Sequence, residues 1–222
     1  VIEFIGRGHG PEGAAVLRAP WGMNLFFHWI FVHVPHHVDP RIPCYHLEEA
    51  AAAIDEVVYA NVFEGLTRID RNGEVKPALA KSWTISDDGL TYTFTLNEGV
   101  KFHDGSDMSA EDVKFSLDRA MAGDSTNAQK ALFEPIDSVA VTDPATVVVT
   151  LKRPTGHFLF NMGWGDAVIV APETADENKS KPVGTGPFKF VEWVPGDHIT
   201  LEKNADYWGN AVALDKATFK II

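Results

Sequence analysis

Cysteine is nearly absent from this 222-residue sequence, which contains only Cys44. A single cysteine excludes an internal disulfide framework, and it is compatible with either an oxidising or a reducing compartment. Basic residues are also scarce, because 19 lysines and arginines stand against 31 aspartates and glutamates, giving a formal net charge of −12. This charge argues against nucleic acid and against an anionic membrane surface as partners.

Long apolar runs are missing as well. The longest, residues 21–34, is interrupted by His28 and His33 and is bounded by Pro20 and Pro35, so it is too short and too polar to span a bilayer. The first residues lack the basic stretch and cleavage site of a secretory leader, and we therefore expect a mature form or a fragment. With 45% apolar and 23% charged residues, the chain has the composition of a globular protein with a sizeable core.

The clearest local pattern is a β-hairpin. Tyr92, Phe94 and Leu96 alternate with three threonines, a period of two that predicts a strand with one apolar face. Asp-Gly pairs at 88–89 and 104–105 predict tight turns on either side of this strand, because glycine adopts positive φ without steric cost.

Short elements are predicted along the rest of the chain. Helical segments are expected over residues 47–63, from Pro77 to about Trp83, from an N-cap at Ser109 to about Gly123, and over residues 158–162. Strands are expected at residues 66–70, 136–141, 146–151, 167–170, 188–193, 199–203 and 218–222. Strands interleaved with few helices predict an α/β protein with mixed sheets.

Several motifs follow one another in a fixed order. Trp83 precedes Ser-Asp-Asp-Gly at 86–89, Gly-Val-Lys-Phe-His-Asp-Gly at 99–105 and Ser-Ala-Glu-Asp-Val-Lys-Phe-Ser at 109–116. A later run comprises Pro-Val-Gly-Thr-Gly-Pro-Phe at 182–188, then Trp193, Leu201, Asn204, Tyr207 and Trp208. Together with Tyr-Ala-Asn-Val-Phe-Glu-Gly-Leu at 59–66, they make residues 50–222 resemble family 5 of the extracytoplasmic solute-binding proteins, which serve peptide and nickel ABC importers.

The resemblance implies a type II periplasmic-binding-protein-like fold, in which two α/β lobes close on a solute. Residues 48–183 are then expected to form the N-terminal α/β subdomain, and residues 184–222 the incomplete return of the chain into the first lobe. Residues 1–47 are expected to be an atypical N-terminal segment or the start of the first lobe. Because members of the family are much longer, we expect the chain to stop before the second lobe and to bind solute weakly or not at all by itself.

The implied function is that of the solute-binding component of an ABC importer. Such a protein captures peptides or similar small solutes outside the cytoplasmic membrane and delivers them to the permease subunits, with no catalytic residue, metal or cofactor. The resemblance also implies a monomer, either periplasmic or anchored by lipid outside the membrane. A nickel or haem carrier of the same family is the alternative function, and a metal-dependent hydrolase is a more distant one.

The N-terminal segment contains side chains that could ligate metal, namely His28, His33, His36, His37, Cys44 and His46. No His-Glu-x-x-His pattern and no pair of close cysteines accompanies them, so we predict no metal site here. His103, beside Asp104 in a predicted turn, is interpreted as a local hydrogen-bond partner and not as a catalytic base.

Three residues are candidate ligand contacts: Trp164, Asp166 and Thr185. Trp164 has glycines on both sides and an acid nearby, and ligand clefts combine aromatic walls with a few polar groups. Core packing is the competing interpretation of Trp164. Thr185 lies in Gly-Thr-Gly-Pro at 184–187, which lacks the lysine of a P-loop, so we predict that its glycines permit a tight chain crossing.

Overall fold

The computed structural model describes residues 2–7, 60–127, 129–194 and 197–221. The strands of this part of the chain form three antiparallel sheets. In chain order, the elements are β1 (Ile2–Arg7), β2 (Thr67–Ile69), β3 (Val75–Pro77), β4 (Ala80–Ile85), β5 (Thr91–Leu96), α1 (Ala110–Met121), a 3₁₀ turn (Lys130–Leu132), β6 (Ile136–Asp143), β7 (Thr146–Leu151), α2 (Phe158–Asn161), β8 (Phe188–Val194), β9 (His198–Lys203) and β10 (Lys216–Ile221).

The first four-stranded sheet has the order β4-β5-β7-β6 and carries the larger hydrophobic core. Tyr92, Phe94 and Leu96 of β5 are buried, as their alternation predicts, and burial of each such side chain stabilises the fold by roughly 1.5–3 kcal/mol. Helix α1 packs on β6 and β7 and buries Val113 and Leu117 from one stripe of its surface. The predicted strand β5 therefore lies inside this sheet, and its hairpin partner β4 forms one edge.

Helix α1 begins where its sequence predicts. Ser109 is the N-cap, and its backbone N–H donates to the carboxylate of Asp112 at 2.8 Å, which satisfies a donor before the first turn. The acidic side chains of Glu111 and Asp112 also lie at the positive end of the helix dipole. The helix ends at Met121, two residues before Gly123.

The second four-stranded sheet has the order β1-β10-β9-β8. The strand predicted at the end of the chain is confirmed, and β10 pairs with β9 on one side and with β1 on the other. A smaller core lies against this sheet and includes Val62, Phe63, Phe188, Ile199 and Leu201.

The segment 64–66 joins the two cores. Gly65 bridges to Val168, the backbone carbonyl of Glu64 accepts from the N–H of Ile169 at 2.9 Å, and the carbonyl of Leu66 accepts from the N–H of Ala80 at 3.0 Å. The short β2–β3 hairpin follows, with Gly73 at φ 79° in its turn. This part of the backbone is thereby held on both sides before the chain enters the larger sheet.

Two secondary-structure predictions were wrong. Residues from Pro77 to Trp83 do not form a helical turn, because Pro77 ends β3 and the pairing of β4 with β5 keeps the following residues extended. Residues 167–170 do not form a regular strand, since Ala167 donates to the carbonyl of Trp164 in a turn and only Val168 makes a bridge. In both places tertiary partners decide the backbone conformation.

Several expectations concern residues outside the described ranges. They are the apolar run at 21–34, the six histidine and cysteine candidates between residues 28 and 46, and the helix predicted over 47–63 apart from its last turn. Within the described ranges, no helix has the length and hydrophobicity that a membrane span requires.

Candidate functional site

A very close backbone crossing lies where residues 184–186 pass residues 61–62. A Cβ atom on Gly184 would stand 2.0 Å from the carbonyl oxygen of Val62, and one on Gly186 would stand 2.6 Å from that of Asn61. Gly186 also donates its N–H to the carbonyl of Val62 at 3.0 Å. The predicted role of these glycines is confirmed, because only a residue without a side chain lets the two backbones come this close.

His103 holds the segment 184–186 of this crossing through both nitrogens of its ring. Its ring Nδ1 accepts from the N–H of Gly184 at 3.3 Å, and Nε2 donates to the carbonyl of Gly186 at 2.9 Å. This pattern requires the neutral ring with its proton on Nε2, and burial lowers the pKa of His103 accordingly. The local role predicted for His103 was wrong, because its ring partners lie 81 and 83 residues away while Asp104 bonds to Ser106.

We expect His103→Leu to lower the free energy of unfolding by about 2 kcal/mol, because the N–H of Gly184 loses its acceptor. The pKa of His103 is lower in the folded chain than in the unfolded one, so its contribution to stability is complete above the unfolded pKa, near 6.5, and is lost as the pH falls below it. Urea unfolding between pH 5 and 8 measures both effects. A leucine variant with unchanged stability, or with the wild-type pH slope below 6.5, would contradict this role.

Glu64 also holds the segment 184–186, and we call His103 and Glu64 the two anchors; the sequence analysis assigned no role to Glu64. Its carboxylate accepts three hydrogen bonds from neutral donors: the hydroxyl of Thr185 at 2.9 Å, the hydroxyl of Tyr207 at 2.9 Å and the indole N–H of Trp208 at 2.8 Å. These donors come from two segments that are distant from Glu64 in sequence. One carboxylate therefore ties the segment 64–66 to the crossing at 184–186 and to the loop after β9.

The pKa of the Glu64 carboxyl is raised although three donors bond to it. Burial raises the pKa of Glu64, and the three hydrogen bonds and the charge of Arg68 offset that effect only in part. Burial and the neighbouring carboxylate also raise the pKa of Tyr207, so its hydroxyl remains a donor at neutral pH. Glu64 thus joins three neutral donors, an arrangement suited to holding backbone segments together.

The structure separates the three candidate ligand contacts. The side chain of Thr185 is fully buried and donates to Glu64, whereas Trp164 and Asp166 are half-buried and lie together in a turn closed by the bond from the N–H of Ala167 to the carbonyl of Trp164 at 2.9 Å. Phe160, at the end of α2, places its ring 5.6 Å from that of Trp164 and is 36% exposed. Trp164 therefore belongs to a partly exposed aromatic pair, and we call Phe160, Trp164 and Asp166 the aromatic–acid patch.

Asn127 holds the backbone of the aromatic–acid patch in place. Its side-chain amide donates to the backbone carbonyl of Asp166 at 2.9 Å, and its oxygen accepts from the N–H of Gln129 at 2.8 Å. Gly163 packs closely on the β2 strand, since a Cβ there would lie 3.1 Å from the hydroxyl of Thr67. Sequence reasoning found Trp164 and Asp166 but missed Phe160, although its spacing of four residues from Trp164 was a usable signal.

Metal ligands are not gathered in the part of the chain that the structure describes. No group of three or more histidine, cysteine, aspartate or glutamate side chains stands close enough there to hold an ion. The candidate ligands from His28 to His46 lie outside the described residues. The candidate sites in the described residues are thus the aromatic–acid patch and the residues that hold the crossing, His103 and Glu64.

Known proteins with similar sequences are solute-binding proteins. The chain is 36% identical over 177 residues to the glutathione-binding protein GsiB of Salmonella typhi and 37% identical over 177 residues to that of Pectobacterium atrosepticum. Each match covers 78% of this chain but only 35% and 34% of the relative. The chain therefore spans about a third of the length of these curated relatives.

The fold of the chain is similar to those of solute-binding proteins with solved structures. The chain resembles DppA from Helicobacter pylori in complex with peptide STSA (36% identity, TM-score 0.68, covering 75% of this chain and 38% of that one). It also resembles NikZ from Campylobacter jejuni in complex with Ni(L-His), with 35% identity and a TM-score of 0.69, covering 73% of this chain and 34% of that one. A third similar structure is AppA from Bacillus subtilis in complex with a nonapeptide, with 33% identity and a TM-score of 0.70, covering 77% of this chain and 36% of that one.

A family model, described as bacterial extracellular solute-binding proteins, family 5 middle, matches residues 74–222. The matched range contains the whole β4-β5-β7-β6 sheet, strands β8, β9 and β10 of the second sheet, residues 184–186 and the aromatic–acid patch. The resemblance predicted from the motifs is confirmed, as is the type II periplasmic-binding-protein-like fold. This chain belongs to family 5 of the bacterial extracellular solute-binding proteins.

Proposed function

We propose that this chain acts in the solute-binding component of an ABC importer. The component captures a peptide or similar small solute outside the cytoplasmic membrane and delivers it to the permease subunits, by non-covalent binding and without a catalytic step. The observation that carries this proposal is the 36% identity over 177 residues to a glutathione-binding protein, a relative whose name specifies a peptide-like solute. Similarity to DppA in complex with peptide STSA supports the same class of solute.

Within that component, the described residues supply part of one lobe. Residues 48–183 correspond to its N-terminal α/β subdomain and residues 184–222 to the return of the chain into that lobe. The partly exposed ring pair of Phe160 and Trp164, with Asp166 two residues further along the same turn, is suited to contact solute. Thr185 supports that surface indirectly, because its hydroxyl is buried against Glu64.

The same relatives support a location outside the cytoplasmic membrane, with the solute and the permease as partners. The family description is extracellular, which favours a periplasmic protein or one anchored by lipid outside the membrane. The negative net charge of −12 disfavours nucleic acid as a partner. We propose a monomer whose partners are the solute and the permease.

We expect glutathione or alanine tripeptide to shift the indole N–H signal of Trp164 in a saturable manner when added to the ¹⁵N-labelled chain. One wall of a cleft supplies only part of the contact area, so the dissociation constant should be on the order of 1 mM. Trp164→Phe identifies the signal by its disappearance, and the signal of Trp83, which packs against the larger core, is the internal control. Signals of Trp164 and Trp83 that both stay fixed up to about 10 mM of either compound would reject the proposal.

A nickel carrier is the second candidate function, favoured by the 35% identity to NikZ in complex with Ni(L-His). The same titration separates the two functions. A shift of Trp164 with nickel–histidine but with neither glutathione nor tripeptide would favour the metal carrier, whereas the reverse pattern would favour the peptide-binding function.

A further inference from the structure

The carboxylate of Asp166 is half-buried and has no internal partner in the described part of the chain. Its backbone carbonyl is bonded to Asn127, but no described side chain donates to the carboxylate, and burial alone raises its pKa. A carboxylate that is partly removed from water without a compensating donor is destabilised in its charged form. Such a group gains most when a cation arrives from outside.

The neighbouring aromatic rings offer a second attraction for a cation. The rings of Phe160 and Trp164 lie 5.6 Å apart with an interplanar angle of 40°, and Phe160 keeps 36% of its surface exposed. Rings at this spacing contact the carbon stem of a long side chain, and their faces attract an ammonium or guanidinium group. Because Trp164 and Asp166 are two residues apart in one turn, their Cα atoms lie within about 7 Å of each other.

The support beneath these groups is rigid. Asn127 holds the carbonyl of Asp166, the turn from Trp164 to Ala167 is closed by a backbone bond, and Gly163 packs against Thr67. A subsite that binds one solute group selectively needs such support, because it fixes the backbone that presents the carboxylate and the rings. The patch is therefore both accessible and fixed.

We propose that Asp166, Trp164 and Phe160 form a subsite for a cationic group of the solute, an ammonium or guanidinium on a flexible carbon stem. The carboxylate pairs with the charge while the two rings cover the stem. This inference rests on the proposed function and specifies the class of solute that this surface selects. Cation binding and ionisation of Asp166 are linked, so affinity for the cation increases as the pH rises through the pKa of that residue.

The test compares two peptides that differ only in the charge. N-acetyl-Ala-Lys-Ala-amide and N-acetyl-Ala-norleucine-Ala-amide share the carbon stem, and only the first carries an ammonium group. We expect the Trp164 indole signal to report binding of the lysine peptide about tenfold tighter than binding of the norleucine peptide. Asp166→Asn should remove this preference, and Phe160→Leu should weaken lysine-peptide binding about threefold. Asp137→Asn is the matched control, because it removes one exposed carboxylate from β6.

A carboxyl ¹³C measurement gives an independent readout. The pKa of Asp166 should fall when the lysine peptide is bound and stay constant with the norleucine peptide. Equal affinities for the two peptides, or an Asp166→Asn variant that retains the preference, would overturn the subsite and leave the proposed function standing. If neither peptide shifts Trp164 but alanine tripeptide or glutathione does, only the cation subsite fails; if none of the four compounds does, both proposals fail.

Discussion

Gly184→Ala is expected to lower the free energy of unfolding by more than about 3 kcal/mol. The new Cβ atom would stand 2.0 Å from the carbonyl oxygen of Val62 and 2.8 Å from the Phe63 ring, and backbone atoms cannot rotate away as a flexible side chain can. Relief requires separating the two chain segments, which also breaks the hydrogen bond from the N–H of Gly186 to the carbonyl of Val62. Urea unfolding followed by tryptophan fluorescence measures the loss.

Gly123→Ala is the matched control for this substitution. The same methyl group there meets no atom within 4 Å, and the change should alter the free energy of unfolding by no more than about 0.5 kcal/mol. If the two variants unfold at similar urea concentrations, the close crossing does not limit the stability of the fold, and the structural role of Gly184 must be abandoned.

The sequence predicts those parts of the fold that local patterns determine. The alternation of Tyr92, Phe94 and Leu96 requires one buried face, and the positive φ at Gly89 (69°) and Gly105 (94°) is what their Asp-Gly pairs indicate. Each of these signals acts over a few residues and survives in any compact context. The elements built on them were therefore placed correctly.

The anchors could not be predicted from the sequence, because their partners are distant along the chain. Glu64 lies 121 residues from Thr185 and 143 from Tyr207, and nothing in the composition around it distinguishes it from a surface glutamate. His103 was misjudged for the same reason, since the adjacent Asp104 suggests a local bond while the fold supplies Gly184 and Gly186. The motifs contained these residues, but only the topology shows which of them meet.

Glu64→Ala should lower the free energy of unfolding by about 3 kcal/mol, because Thr185, Tyr207 and Trp208 each lose an acceptor in a partly buried place. Glu64→Gln should cost no more than about 1 kcal/mol. The amide oxygen can accept from Thr185 and Trp208, while the amide nitrogen donates to the oxygen of Tyr207, whose hydroxyl can reverse its role. Urea unfolding at pH 7 distinguishes the two variants, and an alanine variant no less stable than the glutamine variant would contradict the anchor role.

The pH dependence of the same variants tests the charge of this group. The pKa of Glu64 is higher in the folded chain than its ordinary value of 4.5, so between these two values the folded state binds more protons than the unfolded state. Stability contributed through this group is therefore complete below pH 4.5 and is lost as the pH rises through the folded pKa. The opposing contribution of His103 lies below pH 6.5 and is present in both proteins, so the difference between wild type and Glu64→Gln isolates the carboxylate. We expect Glu64→Gln to gain stability relative to wild type as the pH rises above 4.5. A difference in stability that stays constant between pH 4 and 8 would contradict this expectation. It would mean that Glu64 has the same pKa in the folded and unfolded chain, and that its three hydrogen bonds fully compensate its burial.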